Sequence, residues 1–375
     1  MIIKPTRRRF LQYAMLGLSS LAIHSRGWAD VSAKSRLVMD KKLGMAIPEG
    51  SKVRLIAESS KPVLSDGHYH WHAAPDGGAC FQLDDGWVYV SNSEIEKRGG
   101  GVGAIRFNQQ GDIIDAYSIL NNTSRNCAGG KTPWNTWLSC EEYGDIGQVY
   151  ECDPTGKQSA IVRPLMGSFN HEAVAVDPNN HYCYMTEDLK DGCFYRFKPD
   201  NKNDLSKGTL EVAVANGAFL TWKLILDPEA KNTPARYQVQ EAARFKGGEG
   251  IVYYQGQVFF TTKKDNVVWR YHIDTGHISK IYDAADYSEP LLTGVDNIEV
   301  SQNGELLIAE DGGNMQIIAL DKQYNPYVFV QIYDQDKSEI TGPAFSPDGR
   351  RLYFSSQRGK TGKHEDGITY ELQLS

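Results

Sequence analysis

The 375-residue chain carries 40 Lys and Arg against 47 Asp and Glu, a formal net charge of −7, and 41% of its residues are hydrophobic. A net-acidic protein offers no field to a polyanion, so nucleic acid is not expected as a partner. The length admits one large domain or two smaller ones, and the six cysteines lack the paired C-x₂-C spacing of a zinc site.

In chain order, the first expected element is a processing segment. Thr6-Arg7-Arg8-Arg9-Phe10-Leu11 reads as a twin-arginine motif, followed by an apolar run from Phe10 to Ile23 and a small-x-Ala site at Gly27-Trp28-Ala29. Residues 1–29 are therefore expected to be a signal peptide recognised by the Tat export machinery, which makes the mature chain periplasmic. Loss of Lys4, Arg7, Arg8, Arg9 and Arg26 with it takes the charge to about −12. No later stretch is long and apolar enough for a membrane span, so no stable membrane anchor is expected. The Tat route moves folded proteins, which favours a metal or redox centre inserted before export. Disulfides are permitted in that compartment, but the sequence assigns no pairing among Cys80, Cys127, Cys140, Cys152, Cys183 and Cys193.

From about Asp66 onward the chain repeats. Five segments open with Asp76, Glu172, Glu249, Asp296 or Glu339, then run through a short apolar strand, a turn and a strand richer in aromatics. The turns at Gly86, Asn135, Asn180, Gly256, Gly304 and Gly349 are 49, 45, 76, 48 and 45 residues apart. A unit of about 45 residues with one insertion fits four-stranded propeller blades. The second unit is the least obvious, its first strand running from Asn126 to Gly130. The expected fold is an all-β, six-bladed β-propeller, with 30–375 as one domain and the chain a monomer. Thr369 to Leu374 and the segment before Asp66 are the candidates for closing the ring. Residues 198–243 are polar at both ends and read as a long loop inside the fourth unit; a seven-bladed ring is the alternative if they fold as a blade.

The acids form two sets. One opens each first strand; the other closes the second strands at Glu94, Glu141-Glu142, Glu187-Asp188 and Glu310-Asp311. Corresponding ends of all blades surround one mouth of the channel. So many like charges about one axis require either cations or protonated acids, and hard oxygen ligands in that number suit Ca²⁺. Cys140, directly before Glu141, is the thiol at a strand end. It reads either as a soft ligand for a transition metal such as iron or as a small buried residue or half of a disulfide. His68, His70 and His72 precede the first blade, and His171 beside Glu172 is a better supporting residue. Cations that could receive an anion include Arg125, Lys131, Lys246, Lys263, Lys264 and Arg358. Lys263 and Lys264 occupy a second-strand end where other units carry acids.

Thr132-Pro133-Trp134-Asn135-Thr136-Trp137-Leu138-Ser139-Cys140-Glu141-Glu142 resembles the TPWGTWLxCEE signature of the PhoX-type alkaline phosphatases. Asn92-Ser93-Glu94, His171-Glu172-Ala173, Gly248-Glu249-Gly250, Gly294-Val295-Asp296-Asn297, Ala309-Glu310-Asp311 and Glu339-Ile340-Thr341-Gly342 support it in order along the chain. The resemblance implies a mixed iron–calcium centre (Fe³⁺ and Ca²⁺) acting on small phosphate esters. Cys140 would be the iron ligand, with Glu94, Glu141 or Glu142, Glu172, Glu249, Asp296, Glu310 and Glu339 as the carboxylate shell. One departure stands out: the family's Arg-Pro-Glu is Gly247-Gly248-Glu249 here, so a phosphate-binding arginine is missing. Lys246, Lys263 or Lys264 would have to replace it. That loss keeps two other readings open, a calcium-dependent lactonase or esterase and a non-catalytic metal-binding propeller.

Overall fold

The computed structural model describes residues 36–311 and 313–375; the expected signal segment 1–29 lies outside them. Six antiparallel sheets stand around one axis. Their first strands are Pro75–Leu83, Asn126–Lys131, His171–Val176, Gly248–Tyr254, Val295–Val300 and Ile340–Phe345, numbered here as blades 1 to 6. Each of these strands touches the first strand of the next blade, and the sixth touches the first, so the ring is closed. The second strands are Gly86–Ser93, Trp137–Glu141, Cys183–Glu187, Gln257–Thr262, Leu306–Glu310 and Arg351–Ser356. The turns between them require left-handed backbone at Asn135, Gly256, Gly304 and Gly349. In blade 3 that conformation falls on His181, one residue past the expected Asn180.

Closure uses both ends of the chain. Ile368–Gln373 is the third strand of blade 6, and Lys52–Glu58 pairs with it as the fourth, in register from Ile368 opposite Glu58 to Gln373 opposite Lys52. A second N-terminal piece, the hairpin Leu37–Asp40 and Met45–Pro48, adds to the outer strand of blade 5 through Met45 opposite Ile332. The first described residues therefore hold two neighbouring blades.

The core lies between the blades, where inward strand faces meet. Leu138 and Val149 of blade 2 pack against Val174, Met185 and Tyr195 of blade 3. Phe194 of blade 3 stacks on Phe260 of blade 4 with centroids 4.8 Å apart. Such aromatic pairs contribute about 1 kcal/mol beyond their buried area.

Residues 198–243 differ from the expected loop. They include the second half of Phe194–Asn201 and all of Asp204–Asn216 and Phe219–Leu224, the third to fifth strands of blade 3 rather than part of the fourth unit. Leu205, Leu210 and Val212 are buried in the blade 2–3 core, so alternation holds the segment as sheet between its polar ends. It enlarges one blade and adds no seventh.

Candidate metal centre

One backbone device recurs in every blade. Between first and second strands the register advances three residues on the first and two on the second, as from Pro75 opposite Ser93 to Gly78 opposite Ser91. The same bulge follows Asn126, His171, Gly248, Val295 and Thr341. A bulge bends a strand and re-aims its side chains. In five blades the residue just after the break is Asp76, Cys127, Glu172, Glu249 or Asp296, all buried. In blade 6 that place is Gly342, at φ +59, where a Cβ would lie 2.5 Å from the Asp76 carbonyl; Glu339 reaches in from three residues earlier. Directly past the five partner strands stand Glu94, Glu142, Asp188, Lys263 and Asp311.

These two tiers meet in three linked groups. Cys127, Glu142 and Glu172 form the first, Glu172, Glu249 and Asp296 the second, and Asp296, Asp311 and Glu339 the third. Within each, the candidate ligand atoms lie within 4.8 Å of one another. Cys127 Sγ is 3.3 Å from Glu172 Oε1 and 3.8 Å from Asp76 Oδ2. Asp76 and Glu94 are also tied together, since Gln357 Nε2 donates to both at 2.6 and 3.0 Å.

Burial, reinforced by neighbouring acids, pushes the carboxyls of Asp76, Glu172 and Glu339 well above their usual range. Burial does the same to Glu249 despite the nearby Lys263. Glu142 is pushed up to about 7 and Asp296 to about 6, again chiefly by burial. The Cys127 thiol is raised by burial and by the Asp76 and Glu172 charges. Asp311 is the exception: burial opposes ionisation, but Glu339 and Lys263 together draw it down to about 2. A polar atom buried without a partner is costly, and Glu172 Oε2 and Glu249 Oε1 have no hydrogen-bond partner at 1% and 2% residue exposure. The donor set, one soft thiol among hard oxygens, suits a transition metal beside hard divalent cations.

Several expected ligands take other places. Cys140 is fully buried among Leu138, Val149, Met166 and Phe169 and belongs to none of the three groups. It lies inside the second strand, so its side chain faces the inter-blade core; the thiol at the ring is Cys127. The first member of each acidic pair supports a loop instead. Glu141 accepts from the Ser124 and Gln148 amides, and Glu310 from those of Thr293 and Gly294. Glu187 accepts from the Cys193 amide and Tyr195 hydroxyl and pairs with Arg236. Glu94 faces the ring but is held by Arg125 at 3.0 Å. All six cysteines are free and buried. His171 is buried, stacked on Phe169 and bonded to the Gly167 carbonyl, with burial pushing its pKa down to about 3.

The cations divide just as clearly. Arg125 bridges Glu94 and Glu142, the latter at 2.6 Å, and Arg358 pairs with Glu339 at 2.7 Å. Lys263 Nζ sits among Glu249, Asp296 and Asp311, whose charges outweigh burial and raise its pKa. Lys264 is 3.8 Å from Asp188. Lys246 is exposed and forms no ion pair among the described residues. Cys127 and Asp311 are the members of these groups that the expected ligand set lacked. Aligning Asn126-Cys127 with Pro75-Asp76 in the repeat would have found the thiol.

A profile of the family described as "Alkaline phosphatase PhoX" matches residues 49–146 and 143–359. The chain belongs to the PhoX family. Among solved structures, Pseudomonas fluorescens PhoX in complex with vanadate, a transition state analogue, matches with a TM-score of 0.74 at 17% identity, covering 88% of this chain and 96% of that one. A Bacteroides thetaiotaomicron protein of unknown function matches at 0.55 and 12% identity, over 86% and 76%. A putative gluconolactonase matches at 0.53 and 11%, over 91% and 98%. At these identities the structural matches speak for the fold, and family membership rests on the profile. No curated protein matches by sequence. PhoX membership makes this a phosphatase-type propeller hydrolase.

Proposed function

We propose that the protein is a metal-dependent phosphatase of small phosphomonoesters, exported by the twin-arginine route to the periplasm. The observation that carries the reading is a buried thiol at the end of an arc of buried carboxylates, in a chain of the PhoX family. Cys127 with Glu142 and Glu172 would hold iron, and the two oxygen-only groups would hold calcium. When bound, these ions would draw charge from the phosphoryl oxygens and lower the pKa of water.

The chain's own residues position the ester. Arg125 is clamped by two carboxylates yet keeps its side chain 32% exposed, so a pre-oriented guanidinium faces the mouth. Gly247 stands where the family's arginine is expected, and a Cβ there would lie 3.0 Å from Lys264 Cγ and 2.9 Å from Asp188 Oδ1. The Lys264 stem thus fills the space beside Gly247, which makes Lys264 the replacement cation for phosphoryl oxygens. Lys263 is committed to three carboxylates and Lys246 points to solvent, so neither fits that role.

A substrate panel on metal-loaded protein tests this reading, with phosphomonoesters, phosphodiesters and lactones beside a Glu172→Gln control. Phosphate release from monoesters that the control abolishes is expected. Lactone turnover alone, or no turnover with metals in place, would overturn it.

A further inference from the structure

Blade 4 departs from the pattern of its neighbours at one position. In the four other blades that carry a ring side chain directly after the bulge, the residue past the second strand is an acid: Glu94, Glu142, Asp188 or Asp311. In blade 4 it is Lys263. Its Nζ lies 2.6 Å from Asp311 Oδ2, 3.5 Å from Glu249 Oε1 and 3.7 Å from Asp296 Oδ2. Glu249 belongs to the second acidic group, Asp311 to the third and Asp296 to both. The ammonium therefore sits where these groups join.

That seat conflicts with full metal occupancy. A divalent ion held by Glu249 and Asp296, or by Asp296 and Asp311, would share its carboxylates with a fixed positive charge a few ångströms away. The Lys263 side chain is only 23% exposed, so solvent screens the repulsion weakly. Glu249 Oε1 is ion-paired with the ammonium at 3.5 Å but receives no hydrogen bond, so its lone pairs are not saturated. The first group, built on Cys127, Glu142 and Glu172, has no contact with Lys263.

We propose that Lys263 is a resident cation of the ring: its ammonium takes the place of one divalent ion between the second and third groups. The inference rests on the reading of the ring as a metal centre. The wild type then binds one calcium fewer than its carboxylates would otherwise hold, and those bound beside Lys263 bind more weakly. The same charge neutralises part of the metal-free ring, which lets the propeller fold before calcium arrives.

Calcium binding decides it without any measure of turnover. Chelator-stripped wild type, Lys263→Gln, Lys263→Met and, as a control, Lys246→Gln are titrated with Ca²⁺ by calorimetry, with bound metal counted by mass spectrometry after dialysis. The Lys263 variants should take up one more calcium per chain, or bind the weakest calcium at least tenfold more tightly, while Lys246→Gln matches wild type. Unchanged or reduced calcium binding in both Lys263 variants would overturn the proposal. Should either variant fail to fold when stripped, recovery of its near-UV circular dichroism by added Ca²⁺ supports the proposal, and failure to recover counts against it. Loss of phosphatase activity has no bearing on these outcomes. A wild type that binds no calcium beside a Lys263→Gln that does would overturn the metal-centre reading while upholding the lysine's role.

Discussion

On the proposed metal assignment two cysteines thirteen residues apart carry opposite duties, and single substitutions separate them. Cys127→Ala should lose iron and any thiolate-to-iron absorption from protein made through its native export route. Cys140→Ala should keep both and lose about 1 kcal/mol of stability, because it leaves a small void in the core between blades 2 and 3. Iron content and denaturant melts check the pair; iron lost with Cys140 and kept with Cys127 would reverse the assignment. Glu299 gives a residue-scale test away from the ring. It lines a cavity of about 370 Å³ running along the axis, and burial pushes its carboxyl up to about 7. The folded protein then holds this proton more tightly than the unfolded chain does. Its contribution is present at pH 4 and is lost as pH rises through the folded value. In metal-loaded protein, Glu299→Gln should match wild type near pH 5 and be more stable near pH 8 by about 2 kcal/mol. Equal stabilities at pH 8 would show that Glu299 ionises freely.

At the scale of the strand, the bulge does the selecting. It turns the residue after the break toward the axis, and a small residue beside it lets neighbouring strands close in: Gly77, Ala128, Ala173 and Gly250 follow Asp76, Cys127, Glu172 and Glu249. Gly342 tests the crowding. Gly342→Ala should cost at least about 2 kcal/mol, since φ +59 strain adds to a contact with the Asp76 carbonyl. Gly256→Ala, at a turn with φ +78 and nothing within 4 Å, should cost about 1 kcal/mol. Equal losses in urea melts would show that the axis relaxes around a methyl group. The bulge also explains what the sequence reveals. Five acidic openers are legible because carboxylates stand out against apolar strands. Cys127 is hidden when charge is the guide, although its register in the repeat matches theirs. Which member of Glu141-Glu142 or Glu310-Asp311 faces inward depends on where the second strand ends, and composition does not mark that residue. The strands at 204–224 are masked by the polar stretches on either side, while the alternation of Leu210 and Val212 shows only once the sheet is seen.

For the molecule as a whole, stability depends on the two-ended closure. Ile56 and Ala57 of the closing strand are buried with Tyr353 and Ala344, so deleting that strand would bare a core face as well as an open sheet edge. A chain starting after Glu58 should lose its cooperative thermal transition. One starting at Gly50 loses only the hairpin on blade 5 and should fold with a lower melting temperature. Thermal melts of the two truncations settle this; a wild-type transition in the shorter chain would show that blade 6 needs no fourth strand.

That closure also sets an order of assembly. Residues 52–58 leave the ribosome early but have no sheet to join until 368–373 follow, more than 300 residues later, and contacts of such separation form late. The thiol-bearing group draws only on blades 2 and 3, so its ligands exist once the chain has reached the middle of its length. The group of Asp296, Asp311 and Glu339 belongs to blades 5 and 6, the two blades held by the returning N-terminus. On the proposed metal assignment the iron ligands are in place during synthesis, whereas the last calcium site is complete only after the final residues have been added and the ring has shut.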